Sequence, residues 1–235
     1  MKCVCTVISK DFIPGFRAMV NSIKMHTKGF DENFLCLDID LGEDDRKLCK
    51  EIYHKCQFVQ PDKDNYRVLP PHTRPLKNAF FKLEFFKIAQ RYDRMIFIDS
   101  DMIFLNSIQE LLNMKPRANL GLAFHTSHQE YNTGLILFDR LPPIIYKRIM
   151  DLLHTIEKAH LADQGVIMEA IKKNLFSVNR LPWKWNTTKR QAKQYKGRPR
   201  DYIGLHFVGK KPWKGGEDGY KDLEDIWHKY SEGYK

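Results

Sequence analysis

Arg94-Met-Ile-Phe-Ile-Asp-Ser-Asp-Met-Ile-Phe-Leu105 sets two acids, Asp99 and Asp101, between two apolar runs. Met95 to Ile98 contains only large apolar residues and reads as a strand covered on both faces. Packing two bare carboxylates among apolar groups is costly. The pattern therefore predicts that both acids sit at a strand end, where the backbone turns and a cleft opens. In open α/β sheets that edge is where ligands bind. Two neighbouring carboxylates repel each other, and a divalent cation relieves the repulsion. A hard cation held by oxygens commonly carries a diphosphate. Read alone, the short Asp-x-Asp motif equally suits a pair of solvated acids in a tight turn.

Working outward, strands are expected over 2–8, 33–37, 57–60, 120–124, 134–138 and 203–207. Helices are expected over 14–26, 43–56, 76–92, 107–114, 142–158 and 162–173. Pro14 opens the first helix. Ser107 suits an N-cap, with Glu110 at the capping-box position. Residues 61–74 read as a polar, proline-bearing loop long enough to be functional. Strands alternating with helices predict an α/β fold with a mostly parallel central sheet and helices on both faces. No repeat, low-complexity segment or linker breaks the 235 residues, so one domain over 1–235 is expected. Within it, 183–202 reads as an irregular basic and aromatic region and 215–235 as a short amphipathic tail.

The start, Met1-Lys-Cys-Val-Cys-Thr-Val-Ile-Ser9, is too soon interrupted for a signal peptide, and no apolar run approaches the roughly 20 residues that span a bilayer. A soluble, cytoplasmic chain is expected. Five cysteines, an odd number, suit reduced thiols better than a disulfide framework. Cys3 and Cys5 fall on one face of the first strand. Asn186-Thr-Thr188 matches a glycosylation sequon, inert without secretion. The net charge of +10 calls for an anionic partner: nucleic acid, acidic membrane or phosphorylated substrate. The positive charge crowds at Lys184, Lys189, Arg190, Lys193, Lys196, Arg198 and Arg200.

His206-Phe-Val-Gly209 places an imidazole at the end of a late strand, and Lys210, Lys211, Trp213 and Lys214 follow beside glycines that permit close approach to phosphate. Two carboxylates, one imidazole and adjacent lysines suit a metal-bound diphosphate. With these go Thr6-Val-Ile-Ser9, Phe81-Lys-Leu83, Phe97-Ile-Asp-Ser-Asp101, Tyr131-Asn-Thr-Gly134, Ala162-Asp-Gln-Gly165, Leu181-Pro-Trp183 and His206-Phe-Val-Gly-Lys-Lys-Pro-Trp213. In this order, through nearly the whole chain, they resemble glycosyltransferase family 8, the family of glycogenin and the retaining lipooligosaccharide galactosyltransferases.

The resemblance implies a nucleotide-diphospho-sugar-binding fold, Rossmann-like and of GT-A type. It implies Mn2+, or else Mg2+, held by Asp99, Asp101 and His206. Lys211 falls where the family neutralises the diphosphate, near Gly209. Thr6, Ile8, Ser9 and Phe12 fall where it seats uracil, and Ser100 where backbone touches ribose. Arg74 and Lys82 match its basic pair near the donor. Asn132, Thr133, Gly134, Asp163 and Gln164 match residues around the transferred sugar, with Asp163, Gln164 and Lys211 in catalytic roles. Read from the residues alone, Lys82 also suits a solvated helix lysine, Asn132-Thr133 a turn, Asp163 a helix N-cap and Phe12 the core.

The implied activity is retaining transfer of a hexose, glucose or galactose, from a UDP-sugar to a glycan or glycoconjugate acceptor. His160 stands where glycogenin carries an acid, which leaves the hexose open. The segment from Leu181 to His206 is shorter than glycogenin's acceptor-tyrosine stretch, although Tyr195 and Tyr202 lie in it. Self-glucosylation is the alternative, followed by a haloacid dehalogenase-type phosphatase or a polyanion-binding module. Specific nucleic-acid binding is not expected. Peripheral contact with an anionic membrane and a homodimer stay open.

Overall fold

The computed structural model describes residues 1–67, 69, 77–125, 129–156, 162–195 and 201–232. Leu76, Arg74 and His160 lie outside them, as do Lys196, Arg198 and Arg200. The chain runs β1 (Lys2–Ile8), α1 (Ile13–His26), β2 (Asn33–Asp38), α2 (Glu43–Ile52), β3 (Cys56–Val59), α3 (Lys77–Phe80), α4 (Phe85–Ile88), β4 (Arg94–Ile98) and β5 (Met102–Phe104). It continues through α5 (Gln109–Asn113), β6 (Leu120–His125), β7 (Glu130–Asp139), α6 (Ile144–Thr155), α7 (Asp163–Lys172), β8 (Val178–Pro182), β9 (Thr187–Thr188), α8 (Lys189–Gln194), β10 (Gly204–His206) and α9 (Lys221–Ser231).

Seven strands form the central sheet in the order β3-β2-β1-β4-β7-β6-β8. The pairs β3/β2, β2/β1, β1/β4 and β6/β8 are parallel, and β7 runs antiparallel to both its neighbours. The strand order therefore reverses between β1 and β4, and the cleft at such a switch point opens at the carboxyl ends of the two strands. There the chain carries Ser9 after β1 and Asp99 after β4.

Period-two alternation sorts the core. Cys3, Cys5, Met95 and Phe97 face a cluster completed by Phe86, Ile149 and Ile167 from the 77–91 segment, α6 and α7. Val4, Ile8, Ile96 and Ile98 face the opposite cluster, closed by Phe16, Ile23 and Leu111 from α1 and α5. A second sheet, β5-β10-β9, extends β4 past its turn. Against it lies a third cluster, in which α9 contributes Leu223, Trp227 and Tyr230. The expected tail is thus a docked helix, and Asn21 of α1 donates to Tyr230 O at 2.8 Å.

Several boundaries move for tertiary reasons. α2 stops at Ile52 because Cys56 is recruited into β3, opposite Phe34. The helix expected over 76–92 is α3 and α4 interleaved with tighter 3-10 turns, Phe81–Glu84 and Ala89–Arg91. All four residues of the first turn are buried, more than one face of a regular helix can cover. Ser107 accepts from Gln109 N at 3.1 Å, but the helix beyond it begins only at Gln109. β7 starts at Glu130, four residues early, since Tyr131 and Asn132 pair with Phe124 and Ala123 beyond a register shift. The stretch expected to be irregular holds β9 and α8, and Thr188 caps α8 in a capping box with Gln191. All five cysteines are buried free thiols. Among the described residues, no helix is long and apolar enough to cross a membrane.

Arg94 at the start of β4 forks onto Asp139 at the end of β7, with Nε at 2.8 Å and Nη2 at 3.1 Å from its two oxygens. Both side chains are buried, and Arg94 Nη1 also donates to Leu111 O at 3.0 Å. This clamp closes the antiparallel pair that carries the site at its other end. Arg94→Met should lower the free energy of urea unfolding by about 3–5 kcal/mol, because it strands a buried carboxylate. Adding Asp139→Leu should restore most of the loss.

Candidate active site

A cleft of about 320 Å³ opens at the β1/β4 switch point. Val7, Ser9 and Phe12 line one side, Asn78 and Lys82 another, and Asp99, Ser100, Asp101, Asp163 and Lys211 the floor and far wall. The turn after β4 is held from both sides. Asp99 N donates to Gly134 O at 2.8 Å, Met102 N to Asp99 O at 3.0 Å, and Phe207 N to Asp101 O at 3.0 Å. Gly15 in α1 packs on the same turn, where a Cβ would meet Ser100 O at 2.3 Å. Any larger residue there would push the acids out of place.

β10 pairs antiparallel with β5 and sets His206 opposite Met102. This brings the imidazole to the acids, with Nε2 3.1 Å from Asp101 Oδ1 and 3.8 Å from Asp99 Oδ2. One ligand atom from each of Asp99, Asp101 and His206 lies within 4.8 Å of the others. On its other side, His206 Nδ1 lies 2.9 Å from Asn186 Oδ1 and donates to it in the tautomer protonated at Nδ1. Asn186 Nδ2 donates to Asn132 Oδ1 at 2.6 Å, which also accepts from Gly134 N at 2.9 Å. In this arrangement Nε2 keeps its lone pair for a cation. Turning the Asn186 amide over would aim its nitrogen at Nδ1 and force the imidazole proton onto Nε2. It would also set two oxygens 2.6 Å apart unless Asn132 turned as well. Amide orientation and imidazole tautomer are thus linked. Two carboxylates and an imidazole with a free lone pair suit a divalent transition metal.

Two lysines balance the acids. Lys82, buried, sits 3.2 Å from Asp99 and 3.0 Å from Asp163, and donates to Thr133 O at 3.1 Å. Burial works against its charge, but Asp163 and Asp99 outweigh it and raise its pKa above the ordinary value. Lys211 bridges Asp101 and Phe207 O. Asp99, 27% exposed toward the cleft, is pushed up to about 6 by desolvation and by the charges of Asp101 and Asp163, against the pull of Lys82 and His206. Desolvation also opposes the charge of Asp101, yet His206 and Lys211 hold that carboxyl well below its usual range.

The other expected site residues divide. Thr6 and Ile8 are buried on the side of β1 away from the cleft, so Val7 lines it in their place, together with the expected Ser9. Phe12 lines the cleft, with Trp213 edge-on at 5.4 Å and Lys211 Nζ 5.7 Å from its ring centre. Thr133 donates to Asp163 Oδ2 at 2.8 Å. Asn132 and Gly134 stand behind His206 and do not line the cleft, and Gln164, 9% exposed, also lies outside its lining. Gly209 has φ +89° at the bend toward Lys211. Asn186 escaped the sequence reading because its one visible signal was a sequon. Asn78 carried no signal at all. Lys189 looked like one basic residue in a charged run, yet it is fully buried. Lys193 pairs with Asp222 at 2.6 Å, so part of that run is neutralised internally.

Residues 3–216 match the model of the family described as Glycosyl transferase family 8. A curated Arabidopsis thaliana relative, "Putative UDP-glucuronate:xylan alpha-glucuronosyltransferase 4", is 26% identical over 151 residues. That match takes in 63% of this chain and 25% of the relative, so the chain spans about a quarter of the curated protein's length. Among solved structures, galactosyltransferase LgtC in complex with donor and acceptor sugar analogs superposes with a TM-score of 0.72 at 14% identity, covering 97% of this chain and 95% of that one. The glycosyltransferase GlyE of Streptococcus pneumoniae TIGR4 gives 0.74 at 16% identity, over 97% and 59%. At these identities the likeness concerns the fold, which is of GT-A type.

A Cβ at Gly134 would lie 2.4 Å from His206 Cε1 and 2.5 Å from Nδ1. Gly134→Ala should therefore displace the imidazole and weaken binding of an added divalent cation about 10- to 100-fold in calorimetry. The unfolding temperature should move by only a few degrees. Unchanged affinity would separate His206 from the metal site.

Proposed function

The chain belongs to glycosyltransferase family 8, and from that membership we propose that it transfers a hexose, with retention, from a UDP-sugar to a glycan or glycoconjugate. The observation that carries this reading is the meeting of Asp99, Asp101, His206 and Lys211 at the β1/β4 switch point. A Mn2+ or Mg2+ ion held by the first three would polarise the diphosphate and stabilise its charge as the sugar–oxygen bond breaks. Lys211, already on Asp101, is placed to neutralise the leaving diphosphate, an electrostatic contribution that commonly dominates such transfers. Phe12 offers a ring for the uracil, with Ser9 beside it and Ser100 near the ribose. Arg74 joins Lys82 as the proposed basic pair. Lys82 and Thr133 orient Asp163 toward the sugar, with Gln164 next to it, while Asn132 and Gly134 back His206 and Gly209 bends the chain toward Lys211.

The acceptor in this reading is a separate molecule. Tyr202 is fully buried, whereas Tyr195 is 42% exposed and tilts against Trp183 at 5.2 Å. Tyr195 is thus the tyrosine of that segment open to self-glucosylation, the second reading. The internal pairing of Lys189 and Lys193 lowers the charge available for an anionic membrane.

The test is incubation with UDP-glucose or UDP-galactose and manganese, followed through UDP release and intact-protein mass. Release should stop in excess chelator and fall at least 100-fold in Asp101→Asn, which lies at the cleft and should still fold. Full turnover in chelator would refute metal dependence. Stepwise hexose additions that vanish in Tyr195→Phe would make the enzyme self-glycosylating.

Manganese binding should also depend on pH. Below about 6 the metal-free Asp99 carboxyl carries a proton, which a cation must displace. Affinity should fall by at least tenfold per pH unit below about 6, since Asp99 and the Nε2 of His206 must both be free of a proton to bind the ion. Asp101 stays ionised throughout and adds no slope. An affinity independent of pH down to 5 would contradict this.

A further inference from the structure

Lys189 opens α8 and is completely buried, yet it touches neither the acids nor the cleft lining. A buried ammonium is tolerated only where its protons are taken up. Lys189 Nζ donates to Lys210 O at 2.9 Å and lies 2.7 Å from Glu217 Oε2 and 3.6 Å from Glu224 Oε1, with the Tyr220 ring centre at 4.9 Å. Every one of these partners lies between 210 and 224, the segment that leaves β10 and carries Lys211.

That segment is built to need a brace. Gly209, Gly215 and Gly216 take positive φ of 89°, 85° and 60°, so it gives up much backbone freedom on ordering. Lys211 O accepts from Lys214 N and Gly216 N, each at 3.0 Å, which folds the chain back on itself. Glu224 Oε1 accepts from Glu217 N at 2.9 Å and locks the far end. Gly216 lies so close that a Cβ there would sit 1.9 Å from Glu224 Oε2. The near end is tied by Lys189 through the carbonyl of Lys210, one residue before Lys211. Lys211 then reaches Asp101 and Phe207 O with its own backbone already set.

We propose that Lys189 is a positioning residue for Lys211. Its buried ammonium gathers the Lys210 carbonyl, Glu217 and Glu224 into one node, and that node holds the 209–217 loop closed over the diphosphate side of the cleft. The role rests on the transferase reading for what Lys211 does, but not for how the loop is held. It also gives α9 a task, since Glu224 on that helix completes the node. A lysine that merely filled the interior would affect stability without regard to Lys211.

The test is a double-mutant cycle read as calorimetric affinity for UDP in the presence of manganese. Lys211→Ala and Lys189→Met should each weaken binding at least tenfold. The double variant should be no weaker than Lys211→Ala, within about twofold, because Lys189 acts through that side chain. Glu217→Gln, at a partly exposed carboxylate, should act in the same direction with a smaller loss. Additive losses, or a folded Lys189→Met with wild-type affinity, would overturn the proposal. If Lys189→Met does not fold, the cycle of Glu217→Gln with Lys211→Ala decides by the same criterion. If the wild-type protein does not bind UDP, the donor reading fails by itself. Limited trypsin digestion then reads the brace: cleavage after Lys210 and Lys214 should accelerate at least tenfold in Glu217→Gln or Lys189→Met, and an unchanged rate would overturn it.

Discussion

The structure turns on how charge is balanced at the end of β4. Asp99, Asp101 and Asp163 bring three carboxylates together, and Lys82 and Lys211 answer with two ammonium groups. The formal sum, −3 plus +2, leaves −1 before His206 is considered. Such a deficit in a partly dry cleft is costly by itself. A divalent ion would turn the sum to +1, and a nucleotide diphosphate would then find net attraction. The unequal behaviour of the two acids follows from the same balance. Asp101, between His206 and Lys211, is held ionised, whereas Asp99 is pushed up by desolvation and its acidic neighbours.

Placing Asp99, Asp101 and His206 together requires four elements to meet within a few ångströms. β4 supplies the acids, and α1 yields space for their turn at Gly15. β7, running antiparallel beside β4, supplies Gly134 behind His206 and the Thr133 carbonyl for Lys82. β10 supplies the imidazole. The β5-β10-β9 sheet is small, but its antiparallel register fixes which residue faces Asp101. A slip of one residue would turn His206 to the other face.

Stability and function are drawn from different parts of this frame. The Arg94–Asp139 fork closes one end of the β4/β7 pair, far along the strands from the acids. The cleft end is kept together mainly by polar contacts among charged side chains and glycine-rich backbone. The 209–217 loop draws on both kinds, since Trp213 stacks on Trp227 at 5.3 Å while a buried charge node ties the ends of the loop.

By itself, the sequence determined the alternation of strands and helices, the placement of Asp99 and Asp101 at a strand end, and the pairing of those acids with His206 and Lys211 in one family pattern. These are legible because each is a local consequence of apolar period, turn chemistry or ordered motif. Side-chain direction in β1 was not legible, since the resemblance marked Thr6 and Ile8 along with Ser9, while the pleat turned Val7 to the cleft beside Ser9. The broken helix over 77–91 was hidden as well, because burial on all sides looks like a strong helix in one dimension. Asn186 and Lys189 belong wholly to the tertiary structure. A hydrogen bond to an imidazole 20 residues away and a buried ammonium gathering partners across 21 to 35 residues leave no periodic trace. Pattern reports what neighbours along the chain share, whereas charge compensation is settled by whatever the fold brings within reach.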